Sequence, residues 1–203
     1  MNPEQAKSSR PPLYLRKASF VGSFPELRLC PRDGLPVVAI TGRSNSGKSS
    51  LLSALCDRKN LAKASTMPGK TRTINYFRID GEGAPFYLVD LPGYGYARLA
   101  HTERERLRKL IDEFLIGCET MRLLLVVLDA RRNPGAEEKS ILAHCQDIGR
   151  RFLFVRTKWD RLRSGEQRRL RDKWRAEPGT MALSNRTREG VSELLAELRS
   201  VVG

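Results

Sequence analysis

A chain of 203 residues with 40% hydrophobic and 30% charged side chains is long enough to bury one sizeable core, and its mixed composition excludes a fibrous or wholly disordered protein. Lysine and arginine outnumber aspartate and glutamate 37 to 23, and the net charge of +14 points to a polyanionic partner, nucleic acid first. Four scattered cysteines, two histidines and no C-x-x-C pair argue against a zinc ribbon and a disulfide framework. The longest strongly apolar run, residues 123–128, is far too short to cross a bilayer, and residues 1–14 lack a signal-peptide core, so a cytoplasmic protein with no membrane partner is expected.

Residues 1–19 are polar, basic and proline-bearing, and read as a flexible tail ahead of one folded domain over 20–203. Residues 20–36, with Pro25, Pro31 and Gly34, are expected to pack on the domain edge without a long regular element. Residues 37–41 read as a buried strand that runs into Gly42-Arg43-Ser44-Asn45-Ser46-Gly47-Lys48-Ser49, and the small and apolar residues 50–55 open a helix. The eight-residue stretch fits G-x-x-x-x-G-K-[ST] without a gap. Between a strand and a helix, such a turn aims backbone N–H groups and a helix N-terminus at a polyphosphate, with Lys48 reaching the β- and γ-phosphates and the Ser49 hydroxyl available to Mg²⁺.

Residues 60–73 are polar and aperiodic, a loop of the length that usually carries function. Strands are predicted over 74–79 and 85–89, joined by Asp80-Gly81-Glu82-Gly83. Thr102 and Glu105 suggest a capping box, opening a helix whose Leu107, Leu110, Ile111, Phe114 and Leu115 repeat with the 3.6-residue period. A buried strand over 123–128, a helix over 136–148 and a strand over 152–155 follow. Ser164 with Gln167 is read as the cap of a short basic helix reaching Arg175. A last strand over 181–183 precedes a closing helix lined on one face by Val191, Leu194, Leu195, Leu198, Val201 and Val202. The alternation implies a six-stranded, mostly parallel α/β sheet with one antiparallel edge strand and helices on both faces, its ligands at the carboxyl ends of the strands.

The remaining motifs lie after strands, where that rule wants them. In Asp90-Leu91-Pro92-Gly93, the carboxylate can hold Mg²⁺ through water and the glycine N–H can meet a γ-phosphate. In Thr157-Lys158-Trp159-Asp160, the aspartate can accept from guanine N1–H and its exocyclic amine, a pattern adenine cannot offer, while the lysine stem lies along the purine face. Leu183-Ser184-Asn185 could offer an N–H to guanine O6. Residues 150–175 hold eleven lysines and arginines against three acidic residues, a density that suits RNA better than a merely solvated surface.

Taken in order these are the marks of a Ras-like P-loop GTPase of the translation-factor-related class. Gly42-Arg43-Ser44-Asn45, Pro68-Gly69-Lys70-Thr71, Ile74-Asn75-Tyr76-Phe77 and Asp90-Leu91-Pro92-Gly93-Tyr94-Gly95-Tyr96-Ala97 together resemble the EngB family of bacterial GTPases. The resemblance implies GTP binding with Mg²⁺ as cofactor, a role in large ribosomal subunit assembly, and a need for the protein in normal cell division and septation. A monomeric GTP/GDP switch is expected, with slow hydrolysis because Tyr94 has no carboxamide to orient water. Carried across by position, Gly42, Arg43, Ser44, Asn45, Ser46, Gly47, Lys48 and Ser49 bind phosphates. Gly69, Lys70, Thr71, Arg72 and Thr73 form the first switch, and Asp90, Leu91, Pro92 and Gly93 begin the second. Thr157, Lys158, Trp159, Asp160, Leu183, Ser184 and Asn185 contact the base.

The metal set is Ser49, Thr71 and Asp90; Thr73 would share a face with Thr71 in an extended segment, so the residues leave both threonines open. Lys48, Thr71, Gly93 and Asn45 are the expected catalytic residues, Asn45 because related potassium-dependent GTPases carry an asparagine there that helps hold a monovalent cation. Ser46 departs from the family's usual valine, and Asn185 from its usual small residue. Tyr94 stands where Ras-type enzymes place the glutamine that orients water. Two other readings share these residues: a P-loop ATPase or nucleotide kinase, and an RNA-binding assembly module with a regulatory nucleotide site and negligible turnover.

Overall fold

The computed structural model describes residues 17–56, 73–80, 83–95, 100–175 and 179–203. Seven strands, β1 (Lys17–Phe24), β2 (Val37–Gly42), β3 (Ile74–Asp80), β4 (Phe86–Asp90), β5 (Met121–Asp129), β6 (Phe152–Thr157) and β7 (Thr180–Ala182), form one sheet in the order β1-β3-β4-β2-β5-β6-β7. The pairs β4–β2, β2–β5, β5–β6 and β6–β7 are parallel, while β3 runs antiparallel to both β4 and β1. Five described α-helices accompany it: α1 (Lys48–Cys56), α2 (His101–Gly117), α3 (Ala136–Asp147), α4 (Ser164–Arg175) and α5 (Val191–Val202).

The strand β5 shows why the sheet is covered on both faces. All its residues but Arg122 are buried, the continuous apolar run expected of a parallel strand between two helical layers. Leu123, Leu125 and Val127 join α1 and α5 in one core, and Leu124 and Val126 join α2 and α3 in the other, as the two-residue period of a strand requires. The periodic residues of α2 are all buried, and so are Val191, Leu194, Leu195 and Leu198 of α5, while Val201 and Val202 at its end are half-buried against the same core. The helix α4 belongs to neither layer; it covers a small third cluster of Ala130, Trp159 and Trp174.

The sheet has seven strands and not six, because β1 pairs antiparallel along β3 and takes in Lys17–Ser19, which read as tail, and residues 20–24, which read as irregular. A bulge between Phe20 and Gly22 breaks the alternation, and Phe20 and Val21 stay 42% and 44% exposed. An edge strand held by backbone pairing leaves little hydrophobic signature. Two caps also differ. The helix α2 starts at His101 after Ala100, which makes no side-chain cap, so Thr102 lies inside it. At α4 it is Glu166 that reaches back to the Arg163 N–H (3.0 Å), while the Gln167 amide goes to the Trp159 carbonyl.

Gly190, at φ 77° ahead of α5, sits where a Cβ would lie 2.1 Å from the Ala182 carbonyl oxygen. We expect Gly190→Ala to lower the unfolding free energy by about 2–4 kcal/mol, from left-handed strain plus the clash. The urea midpoint should fall at unchanged m; a midpoint equal to wild type would mean that β7 and α5 can separate freely.

Candidate functional site

The strand β2 delivers the chain to a turn made of close backbone approaches. A Cβ on Gly42 would come within 2.6 Å of the Val127 carbonyl oxygen and 2.9 Å of Ser46 Oγ, so glycine alone lets the turn pass this near β5. Asn45 and Gly47 take positive φ (63° and 97°), the kind of alternation that turns successive N–H groups toward one anion. The first turn of α1 carries no acidic side chain, whereas those of α2, α3, α4 and α5 all do. Its positive end is thus left for an external anion. Ser49 is exposed there; Ser46 is buried, and its hydroxyl has no partner among the described residues.

Asp90 closes β4 at 1% exposure. One carboxylate oxygen forms an ion pair with Lys48 Nζ, and the other accepts from Asn75 Nδ2 at 3.5 Å. The Asn75 side-chain oxygen Oδ1 accepts in turn from Ser23 Oγ (2.7 Å) and Thr73 Oγ1 (3.2 Å). Beyond Asp90 the chain stays zipped to β2: the Leu91 N–H donates to the Ile40 carbonyl, the Tyr94 N–H to Gly42 and the Ser44 N–H to Tyr94. Leu91 and Pro92 are buried and offer backbone only. The Tyr94 side chain turns toward α3, where burial first, then the carboxylates of Glu138 and Glu137, push its phenol well above the ordinary value. Gly69, Lys70, Thr71 and Arg72 lie outside the described residues.

On the other side, β6 ends at Thr157, whose hydroxyl donates to the Ser46 carbonyl. Lys158, in the left-handed region at φ 58°, donates to the Asn45 carbonyl at 2.7 Å and pairs with Asp129 at 3.1 Å. The Trp159 side chain is fully buried against Trp174, so this residue contributes its backbone, with its N–H on the Leu183 carbonyl (3.2 Å). Leu183 is likewise buried. Asp160 accepts from Ser184 Oγ at 2.6 Å on one oxygen and from Arg186 Nε at 2.9 Å on the other. The Ser184 hydrogen bond is foremost in holding its carboxyl below the ordinary value. Each oxygen keeps a further lone pair for a base edge. Asn185 leaves its side-chain oxygen buried and without a partner among the described residues.

Three participants were missed in the sequence. Asp129, held well below the usual carboxylate range above all by the Arg131 side chain, anchors Lys158; Asn75 links Asp90 to Thr73; Arg186 meets Asp160. Asp129 had a readable signal, since it ends a buried strand just as Asp90 does.

Residues 37–158 match the family model described as a 50S ribosome-binding GTPase. A probable GTP-binding protein EngB of Chlorobaculum parvum is 43% identical over 159 residues, 78% of this chain and 81% of the relative. One from Syntrophomonas wolfei is 38% identical over 197 residues, 94% of this chain and 99% of its own. The chain belongs to the EngB family of GTP-binding proteins. As an EngB-family protein it binds GTP and GDP and is a GTP-hydrolysing enzyme. The crystal structure of a probable EngB superposes with a TM-score of 0.60 at 16% identity, over 82% of this chain and 98% of that one. Era, solved with MgGDPNP and part of 16S ribosomal RNA, gives 0.67 at 19% identity over 83% of this chain and 57% of its own. At such identities these matches show the Ras-like GTPase fold.

Asp160→Asn places amide donors against guanine's donors. GTP affinity should fall by on the order of 10²- to 10⁴-fold while xanthosine triphosphate gains. Nucleotide titration checks it, and equal wild-type affinity for ATP and GTP would contradict the role given to Asp160.

Proposed function

We propose that this EngB-family protein is a cytoplasmic, monomeric GTP switch in assembly of the large ribosomal subunit, needed in consequence for normal division and septation. The observation that carries the reading is the junction of Lys48, Asp90 and the Asp90–Tyr94 segment beside the phosphate loop. A γ-phosphate arriving there would draw Lys48 from Asp90 and meet the Gly93 N–H, and so act directly on the second switch. Support for the ribosomal partner comes from the family description and from the +14 charge. Residues 17–203 would form the GTPase domain, since β1 begins at Lys17 and pairs along β3.

The oxygen donors suit Mg²⁺: a hydroxyl at Ser49 and a buried carboxylate at Asp90, with Thr71 as the third ligand. Among the described residues no group of three or more His, Cys, Asp or Glu is arranged for a metal, consistent with an ion held mainly by phosphates and water. Bound there, Mg²⁺ would neutralise charge on the β- and γ-phosphates. Thr73 already donates to Asn75, which supports Thr71 as the ligand and gives Thr73 the task of tying the first switch to Asp90. Cosedimentation with purified large subunits tests the reading: the GTP-analogue form should bind at least tenfold tighter than the GDP form, and equal binding would overturn it.

Turnover should be slow, on the order of 10⁻⁴ s⁻¹ unassisted. Tyr94 has no carboxamide, and its ring is directed to α3. Asn45, exposed in the phosphate loop, is the residue that would help hold a monovalent cation. Potassium should then accelerate hydrolysis over sodium, and Asn45→Ala should remove the difference while GTP still binds. Identical single-turnover rates in the two salts, with and without ribosomes, would leave Asn45 a loop residue.

A further inference from the structure

The helix α4 faces solvent on most of its circumference. Its inward stripe, Gln167, Leu170, Arg171 and Trp174, closes on Trp159: the Gln167 amide donates to the Trp159 carbonyl at 3.0 Å, the Trp174 ring lies 5.4 Å from it, and the Arg171 guanidinium sits 5.4 Å over it. Arg171 is also paired with Glu189, so it belongs to the seat of the helix and not to its open face. Arg168, Arg169 and Lys173 are exposed on the other side, and Arg161 and Arg163 are exposed in the turn that leads in. The nearby acidic groups are Glu166, engaged by the Arg163 N–H, and Asp172.

Charge on α2 is arranged differently. It has four basic and four acidic residues, with Arg108–Asp112 and Lys109–Glu113 paired one turn apart. On α4 five basic residues stand against two acidic ones. We propose that the face formed by Arg161, Arg163, Arg168, Arg169 and Lys173 docks the phosphate backbone of an RNA duplex. Two observations favour this over an acidic protein. Among the described residues the exposed large hydrophobic side chains, Phe20, Val21, Leu29 and Ile116, all lie elsewhere, so the described face of α4 lacks the apolar centre a protein interface needs. The tryptophans of this region, Trp159 and Trp174, are buried, which leaves charge for phosphates and no exposed indole for stacking unpaired bases.

The face is seated on the turn Trp159–Arg161, which carries Asp160, and not on Asp90–Tyr94. Guanine is common to GDP and GTP, so RNA affinity at this face is the same in both nucleotide states. The inference rests on the assembly reading above, but it fails separately from it.

The test uses the full chain and a labelled 20-base-pair RNA duplex, titrated across potassium chloride concentrations with GDP or a GTP analogue. Arg168→Gln/Arg169→Gln/Lys173→Gln should weaken binding by on the order of a hundredfold at low salt and flatten the salt slope by about three. GTP affinity should stay within about twofold. The matched control, Arg104→Gln/Arg108→Gln/Lys109→Gln on α2, removes the same charge and should leave duplex binding in place. Equal losses in both variants would mean bulk charge alone. Unchanged binding by the α4 variant, or polyglutamate displacing the duplex at equal charge concentration, would overturn the site. Loss of duplex binding confined to the α4 variant upholds the face even if large-subunit cosedimentation proves insensitive to GTP, an outcome that would sink only the assembly reading.

Discussion

The buried carboxylate of Asp90 meets the ammonium of Lys48 where β4 and α1 come together, and the rest of the site is built around that pair. Removing one partner of a buried ion pair costs about 3–5 kcal/mol, because the other charge is left without compensation. An anion that draws Lys48 to itself therefore strands Asp90 unless it brings a cation. A triphosphate with Mg²⁺ meets both demands at once, whereas the bare nucleotide meets one. The physical chemistry of this single pair would thus link nucleotide to metal. Hydrogen bonds through Asn75 and Thr73 tie the pair to the segment entering β3.

The base end is joined to the phosphate end by two contacts that cross the loop. Thr157 holds the Ser46 carbonyl and Lys158 holds that of Asn45. Both come from the end of β6, two strands from β2 in the sheet order. Parallel strands place all these ends on one side, so the distance between base and phosphates is set by the sheet and not by loop length. Asp129 extends the arrangement, since its charge meets the Lys158 ammonium and its other bonds go to Arg131.

Much of this was legible in the residues themselves. The phosphate loop, Asp90 and Asp160 each follow a strand with strong apolar runs, so pattern and chemistry agreed on their place. What escaped had weak local signals. The strand β1 is held by pairing with β3 and broken by a bulge, which gives no alternation to read. Asp129, Asn75 and Arg186 act across 29, 15 and 26 residues, on Lys158, Asp90 and Asp160, and no spacing rule covers such partners. The Trp159 side chain turned inward, because a basic helix with so little apolar surface needed an aromatic seat; Arg171 stays exposed while its guanidinium lies over that ring.

That seat divides the molecule by what each part senses. The segment from Asp90 to Tyr94 runs beside the phosphate loop, and a γ-phosphate is the one chemical difference between GTP and GDP. The turn Trp159–Arg161, with α4 resting on it, carries Asp160 and would face the base, the part of the nucleotide that hydrolysis leaves alone. Contacts made through α4 would hold while those made through the switches form and release. A protein with both kinds of surface can stay on a large polyanion through a cycle of hydrolysis and change only how the rest of it is engaged. The uneven charge of α4, beside the balanced charge of α2, is the physical form such a division would take.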